Sequence, residues 1–358
     1  MEEHWYDLIT GVLTAIAVFG SAANLAVIFM IARNKKLSRP VLVQLWNRQC
    51  ILIMNVACAD FILATFGIFM PLVSSVHRQW IFGDLACSIY AFVTTLVGIA
   101  SETTLAFLAL DRALKICQSN WSLRIPKSGL VIIILWIYSF LVSCPPLFGW
   151  GEFVQEGPGI SCSVDWQSTS WNSMSYIIFL FTMGFLAQIF VMLISYLRIY
   201  FTIHQASSTE SNRQRYTVAE RAERRVACML TLMVICYLFA WLPYTTVSIA
   251  KVWEALMGNS EKLTELNGIY GYLPALLAKS SITYNPVIYV LFNTQICRKG
   301  PNYSSNQVNV GETNKTQIQH VTVHQTDIGL LSNPPSQSVT LQMDPVSAEN
   351  ARQSPTAQ

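Results

Sequence analysis

The stretch from residue 269 to residue 292 reads IYGYLPALLAKSSITYNPVIYVLF and contains one charged side chain, that of Lys279. A helix of about 20 apolar residues crosses the ~30 Å hydrocarbon core of a bilayer. This stretch therefore predicts a transmembrane helix with a lysine near its middle. Because a helix rises by about 1.5 Å per residue, the lysine side chain cannot reach either surface of the membrane.

Six further stretches have the same character, and together they predict seven spans at about residues 8–32, 51–75, 87–110, 129–149, 174–201, 226–250 and 269–292. The strands of a membrane barrel would be about ten residues long and would alternate in polarity. The chain is 53% hydrophobic and 12% charged, whereas soluble proteins carry about 25% charged residues. We therefore expect an all-α membrane protein, a seven-transmembrane-helix bundle with a short cytoplasmic amphipathic helix after the seventh span.

The distribution of basic residues predicts the orientation of the chain. Nineteen of the 23 Lys and Arg residues lie in the tail and in the loops after the first, third and fifth spans. Such loops stay in the cytoplasm, so we expect a multi-pass plasma-membrane protein with an extracellular N-terminus (1–7), a bundle (8–297) and a disordered cytoplasmic tail (298–358). Residues 1–7 are acidic, which predicts no cleavable signal peptide. A net charge of +3 gives no basic patch for nucleic acid.

Two of the nine cysteines, Cys87 and Cys162, fall at the outer side of the predicted bundle with access to a loop. Since disulfides persist on that oxidising side, we predict a Cys87–Cys162 bond that joins the third span to the second outer loop. The alternative is a pair of free thiols at the membrane edge. The predicted spans contain no histidine, and no Cys/His cluster has metal-ligand spacing, so a metal is not expected.

A charged lysine in the bilayer centre costs about 2.5–3.5 kcal/mol even on the lenient insertion scale. Such a lysine loses its proton, pairs with a carboxylate or reacts chemically. An amine in an apolar pocket is what a Schiff base with an aldehyde requires. The alternative is a structural ion pair between two helices.

The motifs around this lysine carry a family resemblance over about residues 8–297. They are Asn285-Pro286-Val-Ile-Tyr289, Leu110-Asp111-Arg112, Ala240-Trp241-Leu242-Pro243-Tyr244, Asn24, Asp60, Trp136 and Trp80-Ile-Phe-Gly before Cys87. In these motifs the chain resembles the rhodopsin-like class A G-protein-coupled receptors and, through Lys279, the opsins. Leu-Lys-Ile-Cys at 114–117 and Cys-Ser-Val-Asp-Trp at 162–166 look like the non-visual, neuropsin-like branch.

The resemblance implies a light-sensing receptor, not an enzyme, in which retinal (11-cis or all-trans) forms a Schiff base with Lys279. The protonated Schiff base needs a negatively charged counterion. At the position that supplies this counterion in vertebrate visual pigments, this chain has Tyr90. The resemblance points instead to Glu156 in the second outer loop, a counterion position of many bistable opsins, and less strongly to Asp60. We therefore expect a bistable pigment; without a nearby carboxylate the Schiff base would be neutral and absorb in the ultraviolet.

The same resemblance assigns further residues by role. The retinal pocket would include Thr94, Thr95, Gly98, Phe185, Trp241, Tyr244 and Ala275. The G-protein switch would comprise Asp111, Arg112, Glu223, Tyr196, Asn285, Pro286 and Tyr289, with Arg112 paired to Asp111 and Glu223. The implied partners are a heterotrimeric G protein, an arrestin and a receptor kinase at the tail, and membrane lipid; palmitoylation of Cys297 is left open.

Three departures from the family pattern are polar residues at positions that touch one another in the family. Glu102 and Tyr237 stand where the family has an aliphatic residue and a phenylalanine, and Gln188 replaces a proline. Since an isolated buried carboxyl is costly, we predict a hydrogen-bonded Glu102–Gln188–Tyr237 cluster. The segment 43–50 looks inserted, and it either extends the second helix or is an error in the gene model.

Three rival functions remain open. A retinal photoisomerase would use the same lysine without G-protein signalling, and the Asp111-Arg112-Ala113 motif, which lacks the usual tyrosine, keeps this open. A receptor for an acidic small molecule would pair that molecule with Lys279. A channel or pump would need a chain of polar groups along a pore, for which the charged residues within the spans are too few.

Overall fold

The computed structural model describes residues 3–33, 42–117, 128–156, 158–166, 168, 170–208, 218–257 and 269–292. Its helices are α1 (Glu3–Ala32), α2 (Leu42–Ile62), α3 (Ile68–His77), α4 (Gly83–Cys117), α5 (Ser128–Ser143), α6 (Trp171–Phe181), α7 (Ala187–Ser208), α8 (Val218–Met257), α9 (Ile269–Ser280) and α10 (Tyr284–Leu291). Three spans consist of two helices each: α2 with α3, α6 with α7, and α9 with α10. The described helices thus form the predicted seven-span bundle.

Five of the described helical stretches are long and apolar enough to cross a membrane, while α5 is a shorter apolar helix and the seventh span is divided into the two short helices α9 and α10. Large apolar side chains such as Phe19, Leu193 and Phe239 are more than half exposed on the outside of the bundle. In water such a surface would be unfavourable, but in a bilayer it faces lipid tails. The exposed apolar surface therefore agrees with a membrane location.

The helices extend beyond several of the predicted spans. Helix α1 begins at Glu3, so residues 3–7 are helical rather than an irregular extracellular segment, and a glutamate in the first turn suits the positive end of the helix dipole. Helix α2 begins at Leu42. The apparently inserted segment 43–50 is therefore helical and extends the second span, as one of the two alternatives predicted.

A short irregular helical segment divides each of the three two-helix spans. These segments are the π-helical turns Leu63–Gly67 and Thr182–Leu186 and the 3-10 turn Ser281–Thr283. In the seventh span, Pro286 lacks an N–H and so leaves the Ile282 carbonyl without its usual helical donor. The Asn24 side chain of α1 donates to that carbonyl at 2.9 Å. The break in the seventh span thus fastens α1 to it.

The second outer loop folds into an antiparallel hairpin of β1 (Phe153–Glu156) and β2 (Ser161–Val164). The predicted disulfide between Cys87 and Cys162 is present and joins β2 to α4. Gly159, with φ of +73°, closes the turn by donating its N–H to the Glu156 carbonyl at 3.2 Å. This positive φ favours glycine. The hairpin is thereby fixed over the outer end of the bundle, with Glu156 at the end of β1.

Candidate functional site

A cavity of about 380 Å³ lies inside the outer half of the bundle, under the hairpin. Its walls are mostly apolar, as is usual for small-molecule sites. All nine residues that the sequence analysis assigned to a ligand pocket line it: Thr94, Thr95, Gly98, Glu156, Phe185, Trp241, Tyr244, Ala275 and Lys279. The fold therefore brings together side chains from the hairpin and from four of the seven spans.

Lys279 is half-buried in this cavity, and its amine donates to the Tyr90 hydroxyl at 3.4 Å. Tyr90 is itself fixed, because its hydroxyl donates to the Gly67 carbonyl at 2.9 Å. That carbonyl is available because Pro71, four residues later, has no N–H to donate to it. The Gly67 carbonyl thus holds the Tyr90 hydroxyl in place as a hydrogen-bond acceptor for the lysine amine.

Glu156 faces the same end of the cavity from the hairpin. The Tyr244 hydroxyl donates to its Oε1 at 2.6 Å, and Trp166 Nε1 donates to the Tyr244 hydroxyl at 3.0 Å. Glu156 and Lys279 both lie close enough to Tyr272 to act on it electrostatically. Within the described part of the chain, however, the lysine amine has no carboxylate within 4 Å. The amine and the carboxylate thus line the same cavity, and each is hydrogen-bonded to a tyrosine.

Asp60, the weaker candidate for a counterion, is not among the residues that line the cavity. Its two carboxylate oxygens accept hydrogen bonds from Ser101 at 3.0 Å and from Asn285 at 2.8 Å. These bonds connect the second, third and seventh spans below the cavity. Asp60 is therefore a structural link between helices, whereas Glu156 lines the cavity that contains Lys279.

At the end of the bundle that is predicted to be cytoplasmic, Asp111 is the centre of a buried ion-pair network. Its carboxylate binds Arg48 of α2 at 2.7 Å and Lys115 of its own helix at 2.9 Å. The neighbouring Arg112 donates to the side chain of Gln49. Arg48 and Gln49 were not predicted as functional residues, although both stand at the end of the unusual segment 43–50. The partner expected for Arg112, the side chain of Glu223, lies outside the described residues.

The two tyrosines assigned to the switch pack in one hydrophobic cluster of the bundle. Tyr289 is buried and Tyr196 is half-buried, and neither hydroxyl makes a hydrogen bond of standard geometry with a described residue, although the Tyr196 hydroxyl lies beside Thr231. A buried hydroxyl without a partner is unfavourable, so another arrangement that provides one can compete with this one. The short helix expected after the seventh span, Cys297 and the tail all lie outside the described residues.

The polar cluster expected between the third, fifth and sixth spans is present in part. The Glu102 carboxyl and the Tyr237 hydroxyl face each other, although the hydroxyl makes no hydrogen bond of standard geometry with a described residue. The Gln188 amide instead donates to the Tyr138 hydroxyl of α5, at 3.5 Å. Glu102 and Tyr237 thus adjoin each other, while the contact of Gln188 with them stays a prediction.

The arrangement favours one type of chemistry. Within the described ranges, no group of three or more His, Cys, Asp and Glu side chains could hold a metal ion. The cavity instead offers one amine, two carboxyl groups, those of Glu156 and Glu102, and mostly apolar walls. It can therefore accept an elongated apolar aldehyde, bind it covalently through the amine and stabilise a positive charge on the resulting bond.

A comparison with protein-family models matches residues 23–289 to the 7 transmembrane receptor (rhodopsin family). Among curated relatives, a rhodopsin of Sargocentron spiniferum is 29% identical over 81% of this chain and 80% of its own length. A blue-sensitive opsin of Psalidodon fasciatus is 31% identical over 81% and 78%. A GQ-coupled rhodopsin of Mizuhopecten yessoensis is 30% identical over 81% of this chain and 58% of its own length.

Among solved structures, the crystal structure of squid rhodopsin superimposes with a TM-score of 0.71. It is 25% identical in sequence, and the match covers 83% of this chain and 84% of that one. The fold, the family model and the relatives therefore agree over nearly the same part of the chain.

Proposed function

The chain belongs to the rhodopsin family and is a light-sensing, G-protein-coupled receptor with a retinal chromophore, and on this basis we propose that retinal is attached to Lys279 as a Schiff base. The observation that carries the proposal is the amine of Lys279 inside an apolar cavity of about 380 Å³. Condensation of this amine with the retinal aldehyde forms a carbon–nitrogen double bond and releases one water molecule.

The surrounding residues suit this attachment. When bound, retinal supplies the absorption of light and a light-driven change of shape. Glu156 supplies the negative charge that stabilises a protonated Schiff base, and Tyr244 holds that carboxylate in place. Tyr90 provides a hydroxyl at the lysine nitrogen. Two tyrosines thereby fix the positions of both charge partners.

Trp241 connects the cavity with the sixth span. Its ring lines the cavity and lies 5.9 Å from the ring of Tyr237 and 6.1 Å from that of Tyr244, all three on α8. A change of ligand shape against this ring biases α8 toward another position, since closely packed interfaces switch between discrete arrangements. At the cytoplasmic end of the bundle, Arg112 and Asp111 would then exchange partners and open the surface that binds the G protein.

The buried Arg48–Asp111 pair predicts a measurable effect on the resting state. Arg48→Ala is expected to raise light-independent G-protein activation about tenfold, or about 1.4 kcal/mol, and to destabilise the dark state, because removing one partner leaves a buried charge poorly compensated. Nucleotide exchange in the dark measures the first effect, and thermal loss of the pigment measures the second. Arg33→Ala, an exposed arginine at the end of α1, is the control. Equal values for the two variants would show that the pair has no such role.

The experiment that tests the proposed function uses the full chain in membranes. Reconstitution with 11-cis-retinal is expected to give a visible absorption band at neutral pH, a shift of the band on illumination, and light-dependent nucleotide exchange on a G protein. A visible band that returns under a second illumination would support bistability. Absence of any retinal-dependent band would contradict attachment at Lys279, whereas a band without nucleotide exchange would favour the photoisomerase.

Several finer expectations complete this proposal. We propose a bistable pigment that accepts 11-cis- and all-trans-retinal, and partners that include an arrestin, a receptor kinase and membrane lipid. We also propose a plasma-membrane location with the N-terminus outside, a bundle over 8–297 and a disordered tail over 298–358. The chain is a multi-pass membrane receptor rather than an enzyme. Its relatives do not favour the photoisomerase, and the neuropsin-like placement stays a prediction.

A further inference from the structure

The cavity has a second polar end, formed by Glu102 of α4 and Tyr237 of α8. Both side chains are buried, with 7% and 8% of their surfaces exposed. The Tyr237 ring is held beside Phe185 and Trp241, with ring centroids 6.4 and 5.9 Å away. A carboxyl and a hydroxyl therefore interrupt an otherwise apolar wall at a fixed position.

This polar pair lies far from the lysine amine. On α4, Glu102 follows Tyr90 by twelve residues, which corresponds to about 18 Å along the helix axis. On α8, Tyr237 precedes Tyr244 by seven residues, or about 10 Å. Since Tyr90 contacts Lys279 and Tyr244 contacts Glu156, the pair marks the opposite end of the cavity. An elongated ligand attached at Lys279 would place its other end, the ring of a retinal, near the pair.

The hydrogen-bonding capacity of this end is not used up within the described part of the chain. The Tyr237 hydroxyl adjoins the Glu102 carboxyl, but it makes no hydrogen bond of standard geometry there. Buried polar atoms are nearly always paired in folded proteins. A ligand with a hydroxyl at this end could donate to the Glu102 carboxyl and accept from the Tyr237 hydroxyl.

We propose that the receptor selects retinals whose ring carries a hydroxyl group, and that Glu102 and Tyr237 are the residues that recognise it. The inference rests on the proposed attachment at Lys279. A site built to hydrogen-bond a hydroxyl discriminates against the analogue that lacks it, because its own buried polar groups are then left unpaired. Unsubstituted retinal still fits the apolar part of the cavity and forms a pigment at higher concentration.

The test compares three aldehydes in the same isomeric form: retinal, 3-hydroxyretinal and 4-hydroxyretinal. The full-length receptor is titrated with each, and the half-saturating concentration for pigment formation is measured. We expect a value about threefold to tenfold lower for one or both hydroxylated aldehydes, the gain typical of one to two net hydrogen bonds. The position of the preferred hydroxyl identifies which ring carbon lies next to the pair.

Variants then test whether Glu102 and Tyr237 are responsible for the preference for a hydroxylated aldehyde. Tyr237→Phe is expected to reduce the ratio between retinal and the preferred aldehyde toward one, and Glu102→Gln, which keeps an acceptor oxygen, is expected to reduce it less. Unsubstituted retinal still forms a pigment with both variants and so reports folding. Tyr138→Phe is the matched control, because it removes a tyrosine hydroxyl that is not part of the cavity lining. This control should keep the wild-type ratio.

Each other outcome has a definite meaning. Equal half-saturating concentrations in the wild type would overturn the inference and leave the attachment at Lys279 intact. A preference that survives in Tyr237→Phe and Glu102→Gln, or that is also lost in Tyr138→Phe, would remove these two residues from the recognition of the ring. Failure of all three aldehydes to form a pigment would instead overturn the proposed function, and the inference with it.

Discussion

Lys279→Ala is expected to abolish the visible pigment and with it all light-dependent activation of the G protein. The reason is chemical: no other lysine lines the cavity among the described residues, so the aldehyde would lose its covalent partner. Absorption spectra of the purified variant after incubation with 11-cis-retinal measure the first effect. Nucleotide exchange with and without light measures the second.

Two companion variants separate the chemistry of Lys279 from its charge and size. Lys279→Arg keeps a positive charge but presents a guanidinium, which does not condense with an aldehyde under these conditions. Ser281→Ala changes another residue of the lining and keeps the amine. We expect no pigment from Lys279→Arg and a normal pigment from Ser281→Ala. If Lys279 only formed a structural ion pair, Lys279→Arg would behave like the wild type.

Glu156→Gln is expected to lower, by roughly 1–3 pH units, the pH at which the visible band gives way to ultraviolet absorption. The sign follows from charge: a nearby carboxylate stabilises the protonated Schiff base, so its removal lets the proton leave at a lower pH. The glutamine keeps the size of the side chain and can still accept from Tyr244, which limits any change in packing. Spectra recorded across a pH titration give the midpoint.

The matched control for this variant is Glu152→Gln, which removes an exposed carboxylate just before the same hairpin. Its titration midpoint should equal that of the wild type. If Glu156→Gln also left the midpoint unchanged, Glu156 would not be the counterion. Tyr90 is the other polar group at the amine, and it is a hydroxyl held by the Gly67 carbonyl, so it gives no comparable negative charge near neutral pH.

Much of the fold follows from hydrophobicity, because a bilayer requires about 20 apolar residues per helix and leaves few alternatives. The ends of the helices are predicted less accurately from hydrophobicity. Beyond the apolar core, local polar residues can continue a helix, as they do over residues 3–7 and 42–50. The π turns at Leu63–Gly67 and Thr182–Leu186 have no simple sequence signal, since they depend on packing between neighbouring spans.

In the candidate site, too, some residues could be predicted from the sequence and others depend on how the helices pack. Lys279 could be predicted because a charge in the bilayer centre is costly enough to need an explanation. The contact between Arg48 and Asp111 could not, because it depends on the rotation of α2 relative to α4. A signal was nevertheless present: Asp111 needs a cationic partner, and Arg48 and Gln49 stand in an unusual polar segment at the cytoplasmic side.

The predicted polar cluster differs in part from the contacts in the structure. Its members are Glu102, Gln188 and Tyr237. Their shared departure from the family pattern correctly indicated that they are buried. It did not reveal that Gln188 donates to Tyr138 of the fourth span, because that contact depends on the π turn that precedes Gln188. Nor did it reveal that Glu102 and Tyr237 face the cavity, which is the basis for their proposed role in ligand selection.

The central claim of this account is that retinal is joined to the Lys279 amine. The most direct measurement is to reduce the reconstituted pigment with borohydride, digest it and locate the added retinyl group by mass spectrometry. We predict a retinyl group on the peptide that contains Lys279 and none on that peptide from Lys279→Arg treated in parallel. A retinyl group on another lysine of the wild type, or none at all on a pigment that absorbs in the visible, would contradict the account.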